Sequence, residues 1–455
     1  AKPLDQEITS QGYCYQALVF MYLIKNGVKP NEMDTYINFL TEFAFHLFTE
    51  RKVELPIVEF NAFFQSYQDQ YNLPVPEEKL INNLISSKLL CLTDLGNYGF
   101  IYNYLYYFFV AKYIADNIEK NKPYVDNILK NLHIDENAYI AIFISHHSKN
   151  NYILDELTLN AMCLFDTFCP ATLNKKELLF FDEQIEVIAN AVLPTTTPET
   201  ERRKRLSAQQ IKEENNKPCN NSTQNNENDL TRNDIRRAVK TVEVMGQVIK
   251  NRAGSLKREI LEEIFREAIL TNLRMLSSFF ECIQKKKEQD SIINFITSRI
   301  DIVSEKKNDK RRDEGKKSKE ISEEELEEIA RKVFWNLNFF VVLGIIDKTV
   351  KSTGSDQLTQ IIIKVCDEID TPASELIKHG IFMWYSKNLQ IDIISDKFDN
   401  VDYSFISKQI MRYMIVNHCS LHTVSFKEKQ KLEKRFGISH KKLLVAQAQK
   451  SQDIK

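Results

Sequence analysis

The sequence predicts a mainly α-helical protein, built of helical bundles with one small β-hairpin near residues 89–102. Glycine and proline contribute only 11 residues each to a chain of 455, whereas average composition would give about 30 and about 20. Tight hairpins and phosphate-binding loops depend on glycine because it reaches positive φ without steric cost. The 28 phenylalanines and 18 tyrosines supply ample apolar mass for cores. A large β-sandwich, a barrel or a dinucleotide-binding fold is therefore disfavoured.

Residues 1–72 show the apolar periodicity of helices, which predicts a helical domain. The first such helix has Asn31 as a candidate cap, and the second follows Pro56. Apolar residues at three- and four-residue spacing indicate that each helix buries one face. These residues are Met33, Tyr36, Leu40, Phe43 and Leu47 in the first helix, and Phe60, Phe63, Phe64, Tyr67 and Tyr71 in the second.

In residues 73–120 the spacing of the apolar residues changes from that of a helix to that of short strands and back. A helix begins at Pro76, and two short aliphatic and aromatic runs then flank Asp94–Asn97, which is typical of a β-hairpin. A helix rich in Tyr and Phe follows from about Asn103. Two helices before a hairpin predict a winged-helix-like domain. Its second helix carries Glu77 and Glu78 beside few cations, so packing against another domain is favoured over DNA binding.

Two segments break the helical pattern. Residues 195–233 contain no aromatic residue and many asparagines, which predicts a disordered linker. Residues 304–325 are mostly charged, which is typical of a solvated linker. The breaks leave a helical extension (121–194), a helical hairpin (234–303) and a C-terminal helical domain (326–455). The second segment also offers a candidate basic patch for a partner: Lys306, Lys307, Lys310, Arg311, Arg312, Lys316 and Lys317.

Caps mark the helices of the C-terminal block. Ser322 and Glu325 form a capping box ahead of the apolar run Phe334–Ile346. Thr371 and Pro372 predict another helix start, because proline is favoured in the first turn. A further helix is expected over residues 405–416. No fixed repeat length is visible, so a regular solenoid is not predicted.

Charge, cysteine content and hydropathy predict a cytoplasmic protein with no membrane partner. The formal charge of −2 disfavours nucleic-acid binding along the whole chain. The eight cysteines form no CxxC pair and suit a reducing compartment. The strongly apolar run Phe339–Ile346 is shorter than the ~20 residues that span a bilayer. No signal peptide opens the chain, and its start at Ala1 predicts that it is a piece of a longer protein.

The sequence offers no recognisable catalytic site, so no enzymatic activity and no cofactor are predicted for this chain alone. A Walker A loop requires two glycines before its lysine, and the nearest match, around Gly315, has Lys310 where the first glycine belongs. His418 and His422 lie one helical turn apart, a spacing that zinc can use. No HExxH glutamate and no obvious third ligand accompany them. His146 and His147 end a predicted helix, where cationic imidazoles would suit the helix dipole.

The segment Phe100–Ile114 (FIYNYLYYFFVAKYI) resembles the block that closes the winged helix of NACHT-type STAND NTPases. Upstream, Phe39–Ala44 and Glu54–Phe64 are similar to the helical pair that precedes this winged helix. The resemblance covers roughly residues 10–120. Tyr102 stands where many members carry the histidine that approaches the nucleotide phosphates, and Tyr107 stands where glutamate is usual.

This resemblance implies that the chain is the regulatory and sensing C-terminal part of a bacterial NACHT-like STAND ATPase. It implies a P-loop domain upstream of Ala1, which would bind ATP or ADP with Mg²⁺, and a role in antiphage defence. The implied partners are that domain, an effector, a sensed phage protein or nucleic acid, and further copies in a homo-oligomer. Two alternatives are a stand-alone helical scaffold that binds protein or nucleic acid, and a zinc hydrolase that uses His418 and His422.

Overall fold

The computed structural model describes residues 11–148, 150–184, 203, 227–313, 322–387 and 389–438. Within these ranges the protein is mainly α-helical, with one small antiparallel sheet, which confirms the predicted fold class. The chain divides into two units. Unit 1 comprises residues 1–161 and 225–256, and unit 2 comprises residues 162–224 and 257–455.

Unit 1 combines helices with the sheet. In chain order it contains α1 (Gln11–Lys25), α2 (Met33–Glu50), β1 (Glu54–Pro56), α3 (Ile57–Gln70), α4 (Glu77–Ser86), β2 (Leu90–Leu92), β3 (Asn97–Phe100), α5 (Asn103–Asp116), α6 (Ile118–Lys130), α7 (Asp135–His147), most of α8 (Tyr152–Met162) and α10 (Glu227–Asn251). Helix α5 packs on α2 and α7, and α7 also contacts α10.

The sheet has the strand order β1–β3–β2. The predicted hairpin is present, and Gly96 in its turn has a φ of +78°, which favours glycine. Strand β1 was not predicted, because three residues are too few to show a period. It lies close to the hairpin: a Cβ on Gly99 would lie 3.1 Å from the carbonyl oxygen of Val53. The sheet therefore joins the start of α3 to the hairpin.

Phenylalanine rings form the core between α2, α3 and the sheet. The Phe39 and Phe43 side chains are completely buried. Their ring centroids lie 5.5 Å from Phe64 and 5.4 Å from Phe60, respectively. Phe43 also lies 5.7 Å from Phe100 of β3. The apolar residues that recur at helical spacing in α2 and α3 therefore pack into one shared aromatic core.

In the described part of unit 2, the regular secondary structure is helical, apart from an isolated bridge between Asn174 and Tyr403. It contains α9 (Leu179–Asp182), α11 (Arg258–Gln284), α12 (Lys286–Asp313), α13 (Glu323–Thr353), a 3₁₀ turn (Asp356–Leu358), α14 (Thr359–Ile369), α15 (Pro372–Tyr385), α16 (Ile391–Phe398), α17 (Phe405–Leu421) and α18 (Phe426–Phe436). Capping boxes begin α13 at Ser322 and α15 at Thr371, so both predicted starts are confirmed.

Helix α13 is central to unit 2, where it contacts α11, α12 and α15. Its approach to α15 is close, because a Cβ on Gly380 would lie 2.7 Å from Cγ2 of Val350. Among the described helices, α13 is the one long and apolar enough to cross a membrane by length and composition, and 44% of its most apolar window is buried in the protein. Its fully buried residues include Ala330, Val342 and Ile346.

The helices run into both segments that were predicted as linkers. Helix α12 continues to Asp313, so the charged segment predicted from Ser304 begins as helix, and residues 314–321 lie outside the described part. Helix α10 begins at Glu227, within the predicted linker 195–233, of which residues 195–202 and 204–226 are likewise not described. Of the helices in the predicted hairpin 234–303, α10 belongs to unit 1, where it packs on α7, and α11 belongs to unit 2.

Candidate functional site

Tyr102 lies at the surface of unit 1, at the junction of the sheet and α5. Its carbonyl oxygen accepts a hydrogen bond from the Leu105 amide at 3.0 Å, which starts the first turn of α5. Its side chain is 57% exposed. No hydrogen bond to the Tyr102 hydroxyl is present in the described part of the chain. The hydroxyl is therefore available to donate to a group brought from outside this unit.

Tyr107, the second position singled out by the resemblance, belongs to the core instead. Its ring is stacked on that of Tyr139 in α7, with centroids 5.7 Å apart. Burial, followed by the charge of Glu136, raises the pKa of Tyr107. The neighbouring Tyr106 hydroxyl donates to Glu136 Oε1 at 3.1 Å. These tyrosines therefore join α5 to α7.

Apolar side chains are exposed around the sheet near Tyr102, and we call them the sheet surface. Val53 immediately precedes β1 and lies close to Gly99 of β3. Ile57 begins α3 directly after Pro56, and Pro56 pairs with Asn97 at the hairpin turn. Leu95 in that turn is 84% exposed. The sheet surface consists of Val53, Ile57, Val58, Leu92, Leu95, Ile101 and Tyr102.

Helix α4 precedes the hairpin and would be the reading helix of a DNA-binding winged helix. Its Lys79 Nζ lies 2.9 Å from Glu32 Oε1, and Glu77 and Glu78 occupy its first turn. A phosphate-binding helix needs cations that are not already neutralised. The charge around α4 therefore favours a protein partner over DNA, as the sequence indicated.

His418 and His422 lie together at the end of α17, with ring centroids 4.7 Å apart. His418 Nδ1 lies 2.7 Å from the carbonyl oxygen of Met383, and His422 Nε2 lies 3.1 Å from that of Trp384. Burial lowers the pKa of His418. In the described part of the chain, no group of three or more His, Cys, Asp or Glu side chains could hold a metal ion. Zinc binding by this pair stays a prediction, and the geometry supplies no third ligand for it.

His146 and His147 end α7 as predicted, but the structure does not favour the cationic form. Burial, reinforced by the neighbouring His146 and Lys112, lowers the pKa of His147 to about 3. The pKa of His146 is also lowered, first by burial and then by Arg252. Partial burial of both side chains in unit 1 therefore opposes the charged imidazoles expected from the helix dipole.

The basic patch is partly helical. Lys306, Lys307, Lys310 and Arg311 lie on the last turns of α12. Because residues four apart share a helix face, the backbone places 306 with 310 and 307 with 311. Arg312 lies on the same turns, whereas Lys316 and Lys317 lie outside the described residues.

A cluster of buried charges in unit 2 was missed by the sequence analysis. Lys378 Nζ lies 2.6 Å from Glu375 Oε1 and 2.5 Å from Asp367 Oδ1. Glu375 Oε2 also lies 3.3 Å from Lys397 Nζ and 3.4 Å from His379 Nε2. Glu375, Lys378 and His379 are each less than one-tenth exposed. Their spacing of three and four residues within an otherwise apolar helix was the available signal. Asp367 and Lys397 lie closer to the surface, and we call the five residues together the buried charge cluster after its three buried members.

A family model described as Novel STAND NTPase 4 matches residues 54–110. The match begins at β1 and ends inside α5, so it spans the whole sheet, Tyr102 and Tyr107. No curated protein and no solved structure matches the chain. This region of unit 1 is thus similar to part of a STAND NTPase.

Proposed function

We propose that the chain is the regulatory and sensing arm of a NACHT-like STAND ATPase. In this proposal, α2 to β3 form a winged helix that contacts the nucleotide-binding domain of the same protein. The element order of helix, strand, helix, helix, strand, strand and the sheet order β1–β3–β2 support the winged helix. The observation that carries the proposal is that the STAND family match coincides with this sheet.

The contact with the nucleotide-binding domain is assigned to the sheet surface. Exposed apolar residues grouped on a small domain are typical of sites for protein contacts. Tyr102 follows β3, at the opposite end of that strand from Leu95, and its hydroxyl would approach the phosphates of ATP or ADP with Mg²⁺ bound upstream. We further propose that unit 2 senses a phage protein or nucleic acid in the cytoplasm. That event would drive homo-oligomerisation and activate an effector in antiphage defence.

The gene supplies the test of this proposal. The reading frame that encodes this chain is expected to encode a P-loop domain upstream of Ala1. The full-length product is expected to hydrolyse ATP and to lose hydrolysis when its Walker A lysine is replaced. A reading frame without a P-loop domain would overturn the proposal.

Tyr102→Phe is expected to weaken ADP binding by the full-length protein about tenfold. Hydrogen bonds to charged groups contribute about 1.5–3 kcal/mol, and 1.4 kcal/mol corresponds to a factor of ten. Titration with a fluorescent ADP analogue measures the effect. Tyr22→Phe is the matched control, since Tyr22 is also exposed but lies on α1. Equal affinities for Tyr102→Phe and the parent protein would remove Tyr102 from the nucleotide site.

The helical basic patch supports a second candidate function, the binding of nucleic acid by a helical scaffold. Replacing Lys306, Lys307, Lys310 and Arg311 with glutamine is expected to reduce the slope of log K against log salt by about 3, because each phosphate contact contributes about 0.7–0.9. Binding of single-stranded RNA and of duplex DNA at several salt concentrations measures the slope.

The control for this experiment is a second set of three lysines and one arginine on a helix. Glutamine at Lys427, Lys431, Lys434 and Arg435 of α18 removes the same charge from exposed positions. If both quadruple variants lose the same affinity, the effect is one of net charge and the basic patch is not the binding site. If the parent chain binds neither nucleic acid, this candidate function is wrong.

A further inference from the structure

We propose that a crevice between α2 and α3 of unit 1 binds an organic cation, an ammonium or guanidinium group. The volume of the crevice is about 170 Å³, which is smaller than the roughly 300–1,000 Å³ of pockets for drug-sized ligands and suits a single small cationic group. We call it the aromatic crevice. The argument rests on six of its lining residues: Glu42, Phe45, His46, Phe63, Tyr67 and Tyr71. This site is separate from the nucleotide contact proposed for Tyr102.

Glu42 supplies a half-buried carboxylate to the crevice. Its Oε1 accepts a hydrogen bond from the Tyr71 hydroxyl at 2.6 Å. In the described part of the chain, no Lys or Arg side chain forms an ion pair with Glu42. Burial raises the pKa of Glu42, against the hydrogen bond from Tyr71. A partly buried carboxylate without a cation loses solvation that a bound cation would compensate.

Aromatic side chains line the crevice together with this carboxylate. His46 is stacked on Phe63 and Tyr67 on Tyr71, with centroids 4.9 Å apart in each pair. The ring face of an aromatic side chain attracts cations, most effectively where water is partly excluded. Burial lowers the pKa of His46, so its imidazole is neutral at pH 7 and does not repel a cation. A carboxylate with several ring faces is the chemistry that recognises ammonium and guanidinium groups.

The surroundings of the crevice favour a cation over an anion. Its lining contains no Lys or Arg. Except for Phe63, the lining residues of α2 and α3 come from the C-terminal halves of these helices, and the negative end of the helix dipole acts on the last turn of each. A phosphate group would need the opposite arrangement, a helix N-terminus or basic side chains. The crevice is therefore not a second nucleotide site.

The test uses the purified chain and four small probes. Choline, Nα-acetyl-arginine amide and Nα-acetyl-lysine amide carry the cation, and 3,3-dimethylbutanol has the shape of choline without its charge. Saturation-transfer NMR and calorimetry are expected to show binding of at least one cation in the millimolar range or tighter. The uncharged probe is expected to bind at least tenfold more weakly. The strongest cation identifies the natural group as quaternary ammonium, guanidinium or primary ammonium.

Two variants locate the binding. Glu42→Gln removes the charge but keeps an acceptor for the Tyr71 hydroxyl, and Phe63→Leu removes one ring face. Each is expected to weaken binding of the best cation about tenfold. Glu78→Gln, on an exposed position of α4, is the control and should bind as the parent chain does. Circular dichroism confirms that each variant is folded. If no cation binds, or if Glu42→Gln and Phe63→Leu bind as well as Glu78→Gln, the proposal is wrong.

Discussion

Replacing Glu375 with alanine is expected to lower the free energy of unfolding of unit 2 by about 3–5 kcal/mol, the cost of removing one partner from a buried ion pair. Glu375 is 4% exposed and contacts Lys378, Lys397 and His379. Without its carboxylate, Lys378 keeps only Asp367 as an anionic partner in the buried charge cluster. The loss is large because water cannot take over the solvation of a charge that stays buried.

Tryptophan fluorescence measures this change in unit 2 alone. The chain has two tryptophans, Trp335 on α13 and Trp384 on α15, so the emission during urea unfolding follows the helices around the buried charge cluster. Glu368→Ala is the control, because Glu368 forms an exposed ion pair with Arg266. Exposed ion pairs contribute less than about 1 kcal/mol. Equal losses in both variants would show that burial of the cluster does not determine its contribution.

The same residue predicts an acid sensitivity. Burial would raise the pKa of Glu375, but the contacts with His379, Lys378 and Lys397 outweigh burial and lower the pKa to about 2. A carboxyl whose pKa is lower in the folded state stabilises the protein above its ordinary pKa of 4.5 and loses this contribution as pH falls towards 2. The difference in stability between the parent chain and Glu375→Ala should therefore shrink from pH 5 to pH 3. A constant difference would contradict the assignment.

Replacing Phe39 with alanine is expected to destabilise unit 1 by about 3–5 kcal/mol, which is typical of removing a buried phenylalanine. The Phe39 ring is fully buried and lies 5.2–5.9 Å from Phe63, Phe64 and Tyr67 of α3. The substitution would leave a cavity between α2 and α3. The loss of the ring–ring contacts adds to the free-energy cost of the lost apolar burial. Because Phe63 also lines the aromatic crevice, cation binding should weaken in the same variant.

Hydrogen exchange in peptides from residues 33–70 reports this change, since the chain has no tryptophan in unit 1. Faster exchange throughout α2 and α3 is expected in Phe39→Ala. Tyr102→Ala is the control, because it also truncates an aromatic side chain but at a position that is 57% exposed. Unchanged exchange in α2 and α3 of Phe39→Ala would show that the aromatic core does not hold the two helices together.

Local patterns were sufficient to predict most of the helices and the hairpin. The capping boxes at Ser322 and Thr371 and the glycine in the hairpin turn depend on residues within a few positions of one another. Such features are determined by backbone geometry and local hydrogen bonds. Contacts between distant segments, such as the packing of α10 on α7, were not predicted from the sequence.

In the candidate sites, too, some features follow from the sequence and others only from contacts between distant segments. Sequence resemblance singled out Tyr102 and Tyr107 together, but the packing of α5 on α7 partly buries Tyr107, whereas Tyr102 is exposed. The aromatic crevice joins Glu42 on α2 to Tyr71 after α3, and no spacing in the sequence connects these residues. The buried charge cluster likewise takes Asp367 and Lys397 from the neighbours of α15.

The sequence by itself determined that this protein is mainly helical, where most of its helices begin, and that one hairpin interrupts them. It also carried the resemblance to STAND NTPases, with which the family match over residues 54–110 agrees. Only the tertiary structure decided which side chains are exposed, which imidazoles are neutral and which carboxylates have a cation beside them. The physical reason is that exposure, solvation and ion pairing depend on what other segments bring close in space, whereas helix periodicity and capping depend on neighbours along the chain.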